Sequence, residues 1–143
     1  MPRFPSLSTA SWYGRFAFAL LGVAIAGVFL VVTGRGPLSG VDRALAVVGE
    51  DAAFDTAEAA GNAFVRVGVA LREQAEDCAR DGGPAPRKCD PYFAGSAQAQ
   101  VMAVQVLRCT RPGVFEARSS MRTYLEALRD DAGQARLPLL PDC

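Results

Sequence analysis

The chain has 143 residues, half of them apolar, with fifteen basic side chains balancing fifteen acidic ones; that length allows one domain with a modest core. It contains no histidine, which removes the commonest general base near neutral pH, the commonest metal ligand and every Ser-His or Cys-His catalytic pairing. From Val41 onward fifteen acids face twelve bases, a net of −3 with no basic cluster, which argues against nucleic acid as a partner.

Residues 1–15 carry Arg3 and Arg15 and no acid, and are read as a cytoplasmic tail. Phe16–Val32 then runs FAFALLGVAIAGVFLVV, seventeen residues without a charge or an amide, and Trp12, Tyr13 and Thr33 can extend it into the interfacial layers. Such a run can cross a hydrocarbon core of about 30 Å, at the short end of the range, so residues 16–33 are expected to form one transmembrane anchor. A secretory signal would open in the same way, with Ala44-Leu45-Ala46 as an A-x-A site. That site lies too far beyond the run for an ordinary cleavage region, and the run is longer than most signal cores. The segment is therefore read as an uncleaved signal-anchor, with Gly22 and Ala26 as a weak small-xxx-small pair.

Arg3 and Arg15 on one flank are matched by Arg35 and Arg43 on the other, so the positive-inside rule does not orient the anchor. The cysteines do. All four, Cys78, Cys89, Cys109 and Cys143, follow the anchor, and none forms a C-x-x-C. An even set so spaced fits a disulfide framework in an oxidising compartment. The expected localisation is the cell membrane, single-pass, with the C-terminal domain outside the cytoplasm.

Residues 34–40 are expected to be a linker, because Pro37 and the neighbouring glycines stop a helix from continuing out of the membrane. Residues 41–143 then form the domain. The periodicity predicts a long first helix from about Asp42 to Arg80, Ser39 being a candidate cap. Its later part carries a seam at Phe54, Ala57, Gly61, Phe64, Gly68, Leu71, Ala75 and Cys78, spaced three and four apart. The earlier part has a seam of its own at Val41, Leu45, Val48 and Ala52, on a different face. A bend or break between Gly49 and Asp55 is therefore expected, the first part being either a membrane-proximal stalk or a short separate helix. Glu50, Asp51, Asp55 and Glu58 crowd this junction and read as a solvated acidic face, since they lack the loop glycine and ligand spacing of a calcium loop.

Asp81-Gly82-Gly83-Pro84-Ala85-Pro86 is a loop by local signals. A second helix follows with Asp90 as N-cap and Pro91 at its first position, and runs to about Arg108. Phe93, Ala97, Val101, Val104 and Leu107 share one of its faces, expected to be buried. After Thr110-Arg111-Pro112-Gly113, a third helix spans about Val114 to Ala132, closed by Gly133, and buries Val114, Met121, Tyr124, Leu125 and Leu128. Arg118, Arg122 and Glu126 mark its outer, wetted face. The fold class is all-α: a single N-terminal transmembrane helix followed by a small disulfide-stapled three-helix bundle.

Antiparallel helices with short turns put Cys78 and Cys89 at one end of the bundle, bracketing a loop, so these two are expected to pair. Cys109, at the far end of the second helix, lies roughly 25 Å away at 1.5 Å rise per residue. Cys143 is left for it, reached through an extended tail kept straight by Pro138 and Pro141. Leu137, Leu139 and Leu140 of that tail are expected to pack against the helices as a fourth strip of core. Without a C-x-x-C or a histidine the cysteines read as staples and not as a redox or zinc site.

No G-x-S-x-G, Walker loop, G-x-G-x-x-G or H-E-x-x-H is present, and Ser119, Ser120, Arg118 and Arg122 have no base in prospect beside them. The chain is thus read as a non-enzyme with no cofactor: an interaction, scaffold or accessory subunit of an envelope complex. Its partners are the membrane, through the N-terminal helix, and a protein or a second copy, with Val41, Leu45 and Val48 as the first candidate surface. The competing reading is a module that holds an apolar ligand or lipid, lined by Phe54, Phe64, Phe93, Met102 and Phe115.

Overall fold

Ser39 sets the start of the first element: its hydroxyl accepts from the Asp42 amide at 3.1 Å and donates to the Asp42 carboxylate at 2.7 Å, satisfying a free N–H of the first turn. In the computed structural model, which describes residues 38–82 and 86–143, every regular element is helical. Helix α1 spans Gly40–Gly49, α2 Ala57–Asp81, α3 Asp90–Gln105 and α4 Arg111–Asp131. Short 3-10 turns occupy Asp51–Phe54, Pro86–Lys88, Val106–Arg108 and Ala132–Gln134. Leu38–Cys143 is one compact unit. Among the described residues no helix is long and apolar enough to cross a membrane; the expected anchor, residues 16–33, lies outside them, as does the tail 1–15.

The first predicted helix is two helices, so the bundle has four members and not three. Glu50 turns extended at φ −79°, ψ 108°, and Thr56 is extended again at φ −127°, ψ 155°. Thr56 then caps α2, its hydroxyl accepting from the Ala59 amide at 3.1 Å, and Glu58 in the first turn favours the same end of the helix dipole. The physical cause is the change of seam foreseen between Gly49 and Asp55. A continuous helix would have presented Asp55 and Asn62 to the core, whereas a break lets both seams turn inward.

Ten residues are too few for a helix that stands alone in water, and α1 is held by tertiary packing. Val41, Ala44 and Val48 are buried in the common core. The amide of Gly40 donates to Gln74 Oε1 at 2.7 Å. A side chain at Gly40 would strike the Ala70 carbonyl and Gln74 Cβ, so only glycine allows this approach. Arg43 pairs with Glu73 at 2.7 Å across the same contact.

The seam predicted for α2 is the spine of the domain: Gly61, Phe64, Gly68, Leu71 and Ala75 are all buried. Phe54, delivered by the 3-10 turn, meets Phe64 edge-to-face with centroids 5.6 Å apart, the arrangement aromatic quadrupoles favour. Helix α4 adds Val114, Ala117, Met121, Tyr124, Leu125 and Leu128, the face its spacing predicted. The Cys78–Cys89 and Cys109–Cys143 disulfides close the two ends, in the connectivity derived from helix length.

Candidate interaction surface

Helix α3 lies along α2, and how closely it lies decides which face is buried. At Gly61 an added Cβ would sit 3.0 Å from the Ala103 carbonyl, and at Gly68 3.3 Å from that of Ser96. The buried Ser96 hydroxyl donates to the Gly68 carbonyl at 2.7 Å. Backbones this close admit only small side chains between them. The inward face of α3 is accordingly Gly95, Ser96, Ala99 and Ala103, filled out by Met102 and by Val106 of the next turn.

The face predicted to be buried therefore points out. Phe93 is 44% exposed, Val101 44% and Val104 62%, and Ala97 between them is exposed too; Leu107, 55% exposed, ends the stripe with the tip of its side chain leaning against Gly61. The spacing of 93, 97, 101, 104 and 107 was a true helical stripe, but the small-residue stripe beside it won the core, because close packing against glycines is denser than a layer of large side chains would allow. From Pro91 to Leu107 the chain has no charged residue at all. A bundle helix must show part of its circumference to water, so this one shows apolar groups and amides, Gln98, Gln100 and Gln105 being its longer polar side chains.

The surface expected at Val41, Leu45 and Val48 is not free. Val41 is 4% exposed and Val48 fully buried, while Leu45 packs partly buried against the same core. The stalk alternative for this segment gives way to a helix folded back onto α2. The five residues weighed as a ligand lining do not gather either. Phe54, Phe64 and Met102 are packed in the core, whereas Phe93 and Phe115 stand on the surface. Leu137, Leu139 and Leu140 of the tail are also exposed; the tail is seated instead by Pro138, which is buried and whose carbonyl accepts from Gln98 Nε2 at 2.8 Å.

Arg118, expected on a wetted face, is an internal tie. Its Nε donates to the Val48 carbonyl at 2.7 Å and its Nη2 to that of Gly49 at 3.3 Å. The guanidinium also pairs with Asp51 at 2.7 Å and lies 5.0 Å from the Phe54 ring centroid. One cation thus serves the open carbonyls at the end of α1, where the helix dipole is negative. Arg122 and Glu126 do form the exposed pair expected, at 2.9 Å.

The acidic junction is spread over the surface. Glu50 reaches Arg66 at 3.8 Å and Asp51 reaches Arg118, and among the described residues no three His, Cys, Asp or Glu side chains converge as metal ligands would. A cleft of about 520 Å³ at the Cys78–Cys89 end is lined by Arg87, Lys88, Tyr92 and Asp131 among others. Tyr124 is buried beneath α3, its hydroxyl donating to the Pro91 carbonyl at 2.5 Å. Burial, and after it the neighbouring Tyr92, push this phenol up to about 12.

No protein-family model matches the chain, and no curated protein or solved structure is similar to it at a significant level.

Proposed function

We propose that this chain is a membrane-anchored, extracytoplasmic interaction protein, a scaffold or accessory subunit of an envelope complex, and that it carries out no catalysis. The observation that carries the reading is the exposed face of α3: Phe93, Ala97, Val101, Val104 and Leu107 in a helix with no charge from residue 91 to residue 107. Contiguous apolar surface of this kind marks a contact site on a stable domain. The domain that presents it is held rigid by two disulfides, which suits a compartment where thiols oxidise. The uncharged run Phe16–Val32 supplies the anchor in this reading.

The test is the native mass of the full-length chain extracted from its own membranes in mild detergent. The reading expects a defined assembly, and expects Val101→Glu to dissolve it while leaving thermal stability unchanged, since Val101 contributes little to the core. A chain that runs alone as a monomer, with no change on substitution, would overturn it.

A further inference from the structure

The two ends of the α3 stripe carry opposite charges. Asp90 stands at the N-terminal end and Arg108 at the C-terminal end; both are exposed. Neither has an ion-pair partner among the described residues. At 100° per residue Asp90 falls within the arc of Phe93, Ala97, Val101 and Val104, and Arg108 follows Leu107 in the 3-10 turn that extends the helix. They are separated along the helix by roughly 28 Å, fifteen steps of about 1.5 Å in α3 and three of about 2.0 Å in the 3-10 turn.

An apolar stripe with an acid at one end and a base at the other complements itself when turned through 180°. The geometry points to a second copy of this chain as the occupant: two α3 helices pack antiparallel about a twofold axis that passes between Ala97 and Val101. This inference rests on the reading of the stripe as a contact surface and names its partner. In that register Asp90 of each copy meets Arg108 of the other, so the charge pair forms twice. Ala97 lies opposite Val101, small against large, and Phe93 opposite Val104, without a charge entering the seam. A twofold contact of this type uses the same patch on both copies.

The available area sets the strength. About half of each of four large side chains amounts to on the order of 300 Å² of apolar surface per copy, the size of the largest patch on an ordinary monomer, which is often functional. With the flanking alanines and glutamines, two such faces reach only the lower end of specific interfaces, about 1,200 Å² in total. The pair is therefore a reversible dimer, sensitive to charge at its ends.

The experiment is a charge exchange on the full-length chain in mild detergent, read as molar mass by light scattering over a range of concentrations. The wild type is expected to dimerise. Asp90→Arg alone or Arg108→Asp alone sets like charges against each other at both ends, and each is expected to weaken the dimer at least tenfold. Mixing the two single variants restores one charge of each sign at each end, so a heterodimer is expected, and the double variant is expected to dimerise as the wild type does. Recovery on mixing also shows that neither variant is merely misfolded. A dimer indifferent to the single exchanges, as one held by the N-terminal segment would be, overturns the inference, and so does a monomeric wild type. To separate the two readings, a photo-crosslinker is placed at Val104 in membranes. Crosslinks to a different protein would leave the interaction reading standing while the self-pairing fails; no crosslink to any protein would end both.

Discussion

Arg118 shows how much one side chain can do when its surroundings are dry. Its side chain is 15% exposed, whereas that of its ionic partner Asp51 is 91% exposed. The pair is thus worth little as a salt bridge, at most about 0.5 kcal/mol, and the carbonyl bonds and the contact with Phe54 carry the interaction. Arg118→Ala is expected to cost about 2–3 kcal/mol in chemical denaturation, because two helix-end carbonyls lose a charged donor, while Asp51→Ala changes stability by less than about 0.5 kcal/mol. Equal effects would show that the ion pair matters most. Tyr124 makes a second prediction at this scale. Its phenol is raised in the folded chain to about 12 from the ordinary 10.0, so the folded state holds the proton more tightly than the unfolded one. The stabilisation is fully present below pH 10 and is lost as the pH climbs from there through about 12. Denaturation midpoints measured across that window should fall in the wild type and fall less in Tyr124→Phe. The phenylalanine variant should start lower, because the Pro91 carbonyl loses its donor.

At the scale of the element, α3 makes the sharpest contrast, since both of its faces lack charge between residues 91 and 107 and yet differ in burial, the small residues inside and the large ones outside. Met102→Ala removes a fully buried side chain and is expected to cost about 2–5 kcal/mol. Val104→Ala, two residues on and 62% exposed, should change stability of the monomer by less than about 0.5 kcal/mol. Thermal melts of the two variants compare them directly, and a large loss for Val104→Ala would mean that the stripe faces inward after all. The same helix explains where reading the sequence failed. A stripe of Phe, Val and Leu at helical spacing is ordinarily the core face, but the neighbouring stripe of Gly95, Ser96, Ala99 and Ala103 matched Gly61 and Gly68 on α2. The signal that could have settled the choice was already present: seventeen successive residues without a charge cannot hide all their apolar groups in so small a bundle.

For the molecule as a whole, the two disulfides make large and separable contributions to stability. Their sequence separations are 11 and 34, which in the chain-entropy model correspond to about 3 and about 4 kcal/mol. Replacing Cys109 and Cys143 together by serine is therefore expected to destabilise more than replacing Cys78 and Cys89 together, as read from denaturant midpoints. The reverse order would show that the loop at Cys78–Cys89 does more than close. The placement outside the cytoplasm, part of the proposed function, is checked by trapping thiols during extraction. Alkylation is expected to find no free cysteine, and four labelled thiols would remove the argument for an oxidising compartment.

The sequence by itself determined the helical class, the paired cysteines, the inward faces of α2 and α4 and the need for a break after Gly49, because each depends on local periodicity, chain reach or capping. Thr56 as a cap was equally local, a threonine followed by a helix-favouring Ala-Glu-Ala, and was hidden by the expectation of one long helix. Only the tertiary structure decided that α1 folds back and buries Val41 and Val48, that Arg118 turns inward, and that α3 keeps its large residues outside. The first and the last of these are choices between surfaces of similar hydrophobicity, whereas Arg118 follows the open carbonyls at the end of α1. Such choices are made by how closely two backbones can approach, and in this domain the approach is set by Gly40, Gly61 and Gly68.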